Sequence, residues 1–282
     1  MVQTAMADPA YVMGRTEAES RRLMLQSRLY DRITRRFLED AGLTAGMTVL
    51  DAGSGAGDVA FAAADLVGPT GRVVGVDINP VVLETARARA HDAGRQNVTF
   101  VAGDCRTAPL GGSFDAAIGR MVLMYTRDVT EALQAIVERV KPGGVVALAE
   151  ADFSPVLGHV RCGPPGICRS LWEWGERAFA CAGVHVAMAT QLNRAFIATG
   201  LGEPEMTVHT LVGGGEEWPG YEWAAASLRS VLPVLEQYGI VTAEILEPDT
   251  LADRCRAEVI ATGVPFMLIP LVTAWAHKPM DA

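Results

Sequence analysis

Short apolar runs alternate with amphipathic stretches over residues 47–153, and that rhythm predicts the architecture. MTVLDAG (47–53), GRVVGVDI (71–78), NVTFVAGD (97–104), SFDAAIGR (113–120) and GGVVALAEADF (143–153) are short, rich in Val, Ile and Ala, and closed by Gly or Asp. They read as buried strands. The segments 58–68, 79–94 and 128–140 between them read as helices, the second opened by Asn79 and Pro80. Ahead of them, Thr16-Glu17-Ala18-Glu19 has the form of a capping box. Leu23, Leu25, Leu29, Ile33 and Phe37 then form an apolar stripe that ends at Gly42. After Phe153 the rhythm changes. A helix carrying Trp172 and Trp174, a returning helix at 187–200, a strand at 205–213, helical segments over 216–258 and a last strand near 265–276 complete the chain. Strands without inside-outside alternation, separated by helices, predict an α/β fold with a parallel sheet covered on both faces. The organisation expected is one domain over 1–282, with a helical arm at 1–43, a ligand-binding half at 44–153, and helical caps at 154–185 and 214–258.

Composition narrows the class. The chain has 282 residues, half of them hydrophobic, which suits one large domain with a full core. A formal net charge of −9 argues against a broad phosphate-binding surface and hence against nucleic acid as a partner. The cysteines, Cys105, Cys162, Cys168, Cys181 and Cys255, are odd in number, contain no CxxC pair and lack zinc-site spacing. They read as thiols of a reducing, cytoplasmic compartment, with no metal expected. The start MVQTAMADPAYVMG lacks the basic-then-apolar form of a signal peptide. The most apolar tail segment, VPFMLIPLVTAWA, is too short to span a bilayer and contains Pro270, so no membrane partner is expected. A monomer or a homodimer is compatible with this composition.

The candidate chemistry sits at strand ends. In VLDAGSGAGD, Gly53, Gly55 and Gly57 follow the first strand directly. Glycine there permits a tight turn and a close ligand approach. The pattern is G-x-G-x-G, and Asp58 stands where a dinucleotide loop has its third glycine. With Asp51 two residues before the turn, the site disfavours a pyrophosphate and favours a cation. Asp77, at the end of the second strand, can accept both hydrogen bonds of a ribose diol. Asp104, at the end of the third, can accept from an adenine amino group or cap its own turn, and Cys105 can line the ring. Together these residues point to an adenosine ligand without a pyrophosphate.

At these residues the sequence resembles the class I S-adenosylmethionine-dependent methyltransferases. VLDAGSGAGDVA, GVDIN, VAGDC, SFDAAIGRMVLMY and VKPGGVVALAE match the family's strand-end motifs in order over residues 43–153. The resemblance implies a Rossmann-like sheet of seven strands with the last antiparallel, helices on both faces, a helical cap, and S-adenosyl-L-methionine as cofactor. It places Asp51 near the methionyl end, the Gly53 to Gly57 turn beneath the cofactor with Gly53, Ser54 and Gly55 as contacts, and Ile78 beside the adenosine. YVMG followed by EAESRRLMLQSRLY is similar to a bacterial branch of natural-product tailoring enzymes whose first helices close over the site. On that likeness Tyr11 and Gln26 are candidate cofactor contacts; the alternative is that Tyr11 anchors the terminus and Gln26 lies on a solvated helix face. Gly119 would admit the methionyl portion, and Arg120 would pair with the cofactor carboxylate, with Asp51 or with another acid.

The acceptor side is less determined. A polar Asn/Asp-Pro-Pro-aromatic turn, common where base amines are methylated, is replaced here by GRMVLM before Tyr125. This points away from nucleic-acid bases. His185 and His209 are candidate proton acceptors, alongside Glu150 and Asp152 after the fifth strand, of which one could face the acceptor and the other cap the insertion. Trp172, Trp174, Trp218, Tyr221 and Trp223 are candidate walls for a small apolar or aromatic acceptor, or else cap-core residues. The activity expected is methyl transfer to O, N or C of such a metabolite. A cofactor-binding role without methyl transfer is the alternative.

Overall fold

The structure, a computed structural model, describes residues 17–154 and 163–280, with side chains from residue 21 onward. Tyr11, Thr16, His159 and Cys162 lie outside that description. The elements in order are α1 (Glu17–Asp40), β1 (Thr48–Ala52), α2 (Asp58–Val67), β2 (Arg72–Asp77), α3 (Pro80–Asp92), β3 (Val98–Ala102), β4 (Phe114–Arg120), a short 3-10 turn (Leu123–Tyr125), α4 (Val129–Val137) and β5 (Val140–Ala151). They continue with α5 (Ile167–Cys181), α6 (Met188–Ala198), β6 (Glu205–His209), β7 (Val212–Gly213), α7 (Gly220–Ser230), α8 (Leu232–Gln237), α9 (Ala243–Leu246), α10 (Leu251–Thr262), β8 (Phe266–Met267) and β9 (Leu271–His277).

Seven strands form one sheet in the order β3-β2-β1-β4-β5-β9-β6. β1 to β5 pair in parallel, and β9 runs antiparallel between β5 and β6. The local reasons are those expected. Asn79 accepts a bond from the Val81 N–H and sets Pro80 at the first helical turn of α3. Asp128 caps α4 through the Thr130 and Glu131 N–H groups. The central strands β1, β2 and β4 are buried along nearly their whole length, as a doubly covered parallel sheet requires.

One expectation is corrected at the end of the chain. The single runs 205–213 and 265–276 each divide. Their ends, β7 and β8, pair only with each other as a separate two-stranded ribbon. Pro265 and Pro270 flank β8. Proline cannot donate to a ladder and so stops the run from continuing as one strand.

The core has two halves, one on each face of the sheet. α1 serves both. Its C-terminal part packs Phe37, Leu38 and Ala41 with α2 and Trp275. Its N-terminal part passes over the carboxyl ends of the strands, where Tyr30 meets Trp223 of α7 edge to face at 5.6 Å. α5, α7, α8 and α10 pack on one another, and α5 and α7 bring Phe179 and Trp223 to the same end.

Candidate active site

A cavity of about 770 Å³ opens at the carboxyl ends of the parallel strands, where β1 and β4 diverge toward opposite halves of the sheet. This is the topological switch point at which open α/β sheets bind ligands. One end is lined by Gly53, Gly55, Asp77, Ile78, Asp104 and Cys105. The other is lined by Met121, Met124, Phe153, Phe179, Trp223 and Ile269. Arg22, Leu23 and Gln26 of α1 lie along it, and so do Arg120 and Val122 after β4.

The glycine turn is built for close approach. Gly53 and Gly55 have φ of 65° and 51°, left-handed values that favour glycine. A side chain on Gly53 would strike Val122, whereas one on Gly55 would meet nothing within 4 Å and would enter the cavity. The Gly55 N–H donates to Asp77 Oδ2 at 2.9 Å, and the Asn79 N–H donates to Oδ1 at 2.8 Å. These two bonds fix the Asp77 carboxylate at the rim of the cavity. Ile78 is 65% exposed although apolar, and it lines the cavity. An open glycine cradle, an oriented carboxylate and an exposed aliphatic face together fit an adenosine-bearing cofactor.

Beneath the turn lies a buried charge network. Asp51 is fully buried and neither oxygen has a hydrogen-bond partner. Burial drives its carboxyl well above the ordinary range. The positive charge of Arg120 opposes this, as does the Ala60 amide, which stops short of hydrogen-bond geometry. The Arg120 side chain is 5% exposed, donates to Thr34 Oγ1 at 2.7 Å and lies 3.9 Å from Asp58. Burial pulls Arg120 below its usual value, and Asp58 and Asp51 support its charge. Asp58 itself pairs with Arg89 at 2.7 Å. Arg120 therefore ties the end of β4 to α1 and offsets two acids under the turn.

The remaining cofactor candidates divide between the cavity lining and the packing around it. Asp104 is held by Arg106, whose guanidinium and backbone N–H both donate to it, and this keeps its carboxyl low. It borders the cavity as a turn cap with an ion pair. Cys105 also borders the cavity, and burial pushes its thiol up to about 11, so it is an inert wall. Ser54 Oγ is buried without a partner and sits toward Gly75 of β2, away from the cavity lining. Gly119 does not line the cavity. A side chain there would crowd the Ala52 carbonyl and Leu148, so packing between strands demands the glycine. Gln26 does border the cavity, with its Oε1 accepting from Arg22 at 2.8 Å.

The candidate proton acceptors do not gather at the cavity. Asp152 accepts from the Ser154 and Ala189 N–H groups at 2.7 and 2.6 Å, closing a turn and capping α6. Glu150 accepts from the N–H groups of Val122, Leu123 and Met124 and so fastens the 3-10 turn to β5. Burial raises its carboxyl to about 7, against the pull of those amides. The two acids are two residues apart and share one strand parity; Ala151 and Phe153, of the other parity, line the cavity. The His185 Nε2–H donates to the Thr126 carbonyl at 3.0 Å, and its backbone N–H to that of Met124, so His185 braces the loop behind the cavity wall. His209 lies on β6 at the far edge of the sheet, bonded to Thr207. Among the described residues no histidine lines the cavity.

Of the five aromatic candidates only Trp223 lines the cavity. Trp172, Trp218 and Tyr221 surround Phe266 in the cap core, with Tyr221 stacked on it at 6.2 Å. Trp174 is half-buried against the same core. Sequence reading missed Phe153, Phe179, Met121 and Ser227 as lining residues. Phe153 had a signal, since it follows β5 at the edge where β1, β2 and β4 also end. Phe179 and Ser227 had none, because a cap helix shows its cavity face only once it is docked.

Comparison with known proteins agrees with this geometry. A family model described as a methyltransferase domain matches residues 43–178. The chain is similar to a ubiquinone/menaquinone biosynthesis C-methyltransferase UbiE of Ectopseudomonas oleovorans, at 38% identity over 42% of this chain and 68% of that protein. It is also similar to a demethylmenaquinone methyltransferase of Lactococcus lactis subsp. lactis, at 34% identity over 38% of this chain and 43% of that one. The aligned part of the chain spans about half the length of several of these curated relatives. Among solved structures, the YcgJ protein of Bacillus subtilis superposes with a TM-score of 0.57 at 17% identity, over 88% of this chain and 99% of that one, which speaks to the fold alone.

Proposed function

This chain belongs to the class I S-adenosylmethionine-dependent methyltransferases, whose cofactor is S-adenosyl-L-methionine, and from that premise we propose that it transfers a methyl group to an O, N or C atom of a small, apolar or aromatic metabolite. One observation carries the acceptor class. The cavity is continuous from the Gly53–Gly55 turn and Asp77 to a wall made of Met124, Phe153, Phe179 and Trp223.

When bound, S-adenosyl-L-methionine supplies a methyl group already activated on a positively charged sulfur, so placement of the acceptor does much of the work. The chain divides the remaining tasks. Asp77 holds the ribose diol, Ile78 and Cys105 flank the base, and Gly53 and Gly55 leave room beneath. Asp51 and Arg120 set the field under the turn: acids near the site favour a cation, and Arg120 keeps their sum from growing too negative. α1 and α7 roof the cavity and exclude water through Leu23, Gln26 and Trp223. The apolar wall presents the acceptor atom, and no proton transfer is assigned to His185 or His209. The natural-product setting of the reaction belongs to this proposal too.

Isothermal titration with S-adenosylhomocysteine and NAD, followed by a methyl-transfer assay over a panel of phenols, aromatic amines and polycyclic ketones, tests it. Micromolar binding of S-adenosylhomocysteine, no binding of NAD and methylation of at least one panel member are expected. Cofactor binding with no transfer to any of them would favour a non-methylating role.

A further inference from the structure

Three consecutive backbone N–H groups of the 3-10 turn converge on one buried side chain. Leu123 donates to Glu150 Oε1 at 2.9 Å, Met124 donates to Oε2 at 3.3 Å, and the Val122 N–H is shared between both oxygens at 3.1 Å. Glu150 is fully buried on β5. The carbonyl side of the same segment is held by another part of the chain. The His185 N–H donates to the Met124 carbonyl at 2.9 Å, and its Nε2–H to the Thr126 carbonyl at 3.0 Å.

This turn joins the glycine cradle to the rest of the cavity wall. Val122, Leu123 and Met124 all line the cavity, and Glu150 does not. Val122 lies directly against the cradle, since a Cβ on Gly53 would stand 2.6 Å from Val122 Cγ2. The place of the wall is therefore set by a group that no ligand touches. Because both Glu150 oxygens face N–H groups, the full hold needs both of them as acceptors. A proton on either one makes it a donor facing donors. Burial works the other way and raises the carboxyl to about 7, against the pull of the amides.

Other charges around β5 are engaged or distant. Asp152, on the same face of the strand, spends its oxygens on the Ser154 and Ala189 N–H groups. Arg120 of β4 donates to Thr34, and Asp115 at the other end of that strand pairs with Lys141. Glu131 of α4 and Arg194 of α6 are exposed. β9 sets Val272 opposite Glu150 and carries no ionisable residue before His277. Tyr125 on the turn and His185 behind it complete the set. The influences on the Glu150 charge are burial and the three amides.

We propose that Glu150 is a positioning residue for ligand binding: its ionised carboxylate seats the Val122–Met124 turn against Gly53, and the cofactor binds that seated form more tightly. The inference rests on the reading of the glycine turn as the cofactor cradle. Burial favours the protonated form of the fold, whereas ligand binding favours the ionised one. Cofactor affinity then rises with pH as Glu150 gives up its proton. By linkage the ligand lowers the pH of that proton loss by the same factor.

The test is calorimetric titration of S-adenosylhomocysteine into the full chain and its Glu150→Gln variant between pH 6 and pH 8.5. The two proteins are expected to agree within twofold at pH 6, where glutamine imitates the neutral acid. At pH 8.5 the wild type should bind at least fivefold more tightly. Comparing the two removes the titration of every group they share, Asp51 and His185 included. Equal affinity at pH 8.5 overturns the proposal. A deficit of the same size at both pH values overturns it too, because that marks a merely structural loss. If Glu150→Gln does not fold, nitrogen-15 spectra of the wild type decide. The Val122, Leu123 and Met124 amide signals should shift together with a midpoint near pH 7, the value to which burial raises Glu150. Saturating S-adenosylhomocysteine should lower that midpoint by at least about 0.7, the same fivefold factor. Signals that do not titrate, or a midpoint that the ligand leaves in place, overturn the proposal. A wild type that binds no S-adenosylhomocysteine at any pH sinks the methyl-donor reading and, with it, the ligand step proposed here. Binding without the Glu150-dependent rise sinks the positioning role alone.

Discussion

Met121, directly after Arg120, has φ of 56° although it carries a full side chain, and its N–H donates to the Ala149 carbonyl at 2.7 Å. Non-glycine residues in that region persist where surrounding contacts over-determine them, and such strain clusters at functional sites. Here the kink turns the chain from β4 into the cavity wall. Gly55 shows the opposite economy, a left-handed residue with open space where a side chain would be. Gly55→Ala is expected to destabilise the free protein by about 1–2 kcal/mol through backbone strain. It should weaken S-adenosylhomocysteine at least tenfold, because the added methyl enters the cradle; titration and thermal melts of one sample separate the two effects. Glu150 makes a pH prediction. Its folded value of about 7 lies above the ordinary 4.5, so the fold favours the protonated form. The Glu150 contribution to stability is complete below pH 4.5 and disappears as pH rises through about 7. In denaturant titrations, wild type should lose stability relative to Glu150→Gln across that window, by up to about 3 kcal/mol. A parallel pH profile for the two proteins would refute this.

α1 is the element on which the site most depends. Its lower half belongs to the core shared with α2, and its upper half brings Arg22, Gln26 and Tyr30 over the strand ends. Four-residue spacing places Arg22, Gln26, Tyr30 and Thr34 on one face, so one buried polar stripe joins the roof to Arg120. The Tyr30 hydroxyl, raised by burial, reaches the Ile269 carbonyl at 3.4 Å, which ties that roof to the segment before β9. α6 offers a contrasting case. Asp152 caps it and closes the turn at Ser154, a structural duty at the edge of the site. Asp152→Ala should destabilise the protein by about 1–2 kcal/mol, as lost caps do. S-adenosylhomocysteine affinity should stay within twofold. A tenfold loss of affinity with an unchanged melting temperature would instead place Asp152 at the ligand.

At the scale of the whole molecule, the cavity is lined both by strand-end residues of the sheet and by Phe179 and Trp223 of α5 and α7, so ligand binding should couple the two. S-adenosylhomocysteine at about 100 times its Kd should stabilise the fold by about 2.7 kcal/mol, raising Tm by roughly 5 °C, and NAD should leave it unchanged. Among the described residues no helix is long and apolar enough to cross a membrane, and no cluster of His, Cys, Asp and Glu could hold a metal ion. The strand-helix rhythm, the G-x-G-x-G turn and the acids at the ends of β1, β2 and β3 were legible in the chain because each is a local signal. Burial period, turn chemistry and strand ends are set by neighbours a few residues away, and the parallel sheet then brings those ends to one edge. What tertiary structure alone decided is which candidates share a surface. Trp223 faces the cavity while Trp172, Trp218 and Tyr221 turn to Phe266; Glu150 and Asp152 hold amides; His185 braces a loop and His209 stands at the far edge. Residue type and spacing determine what a side chain can do, but its partners come from elements tens to hundreds of residues away, and only their packing chooses among them.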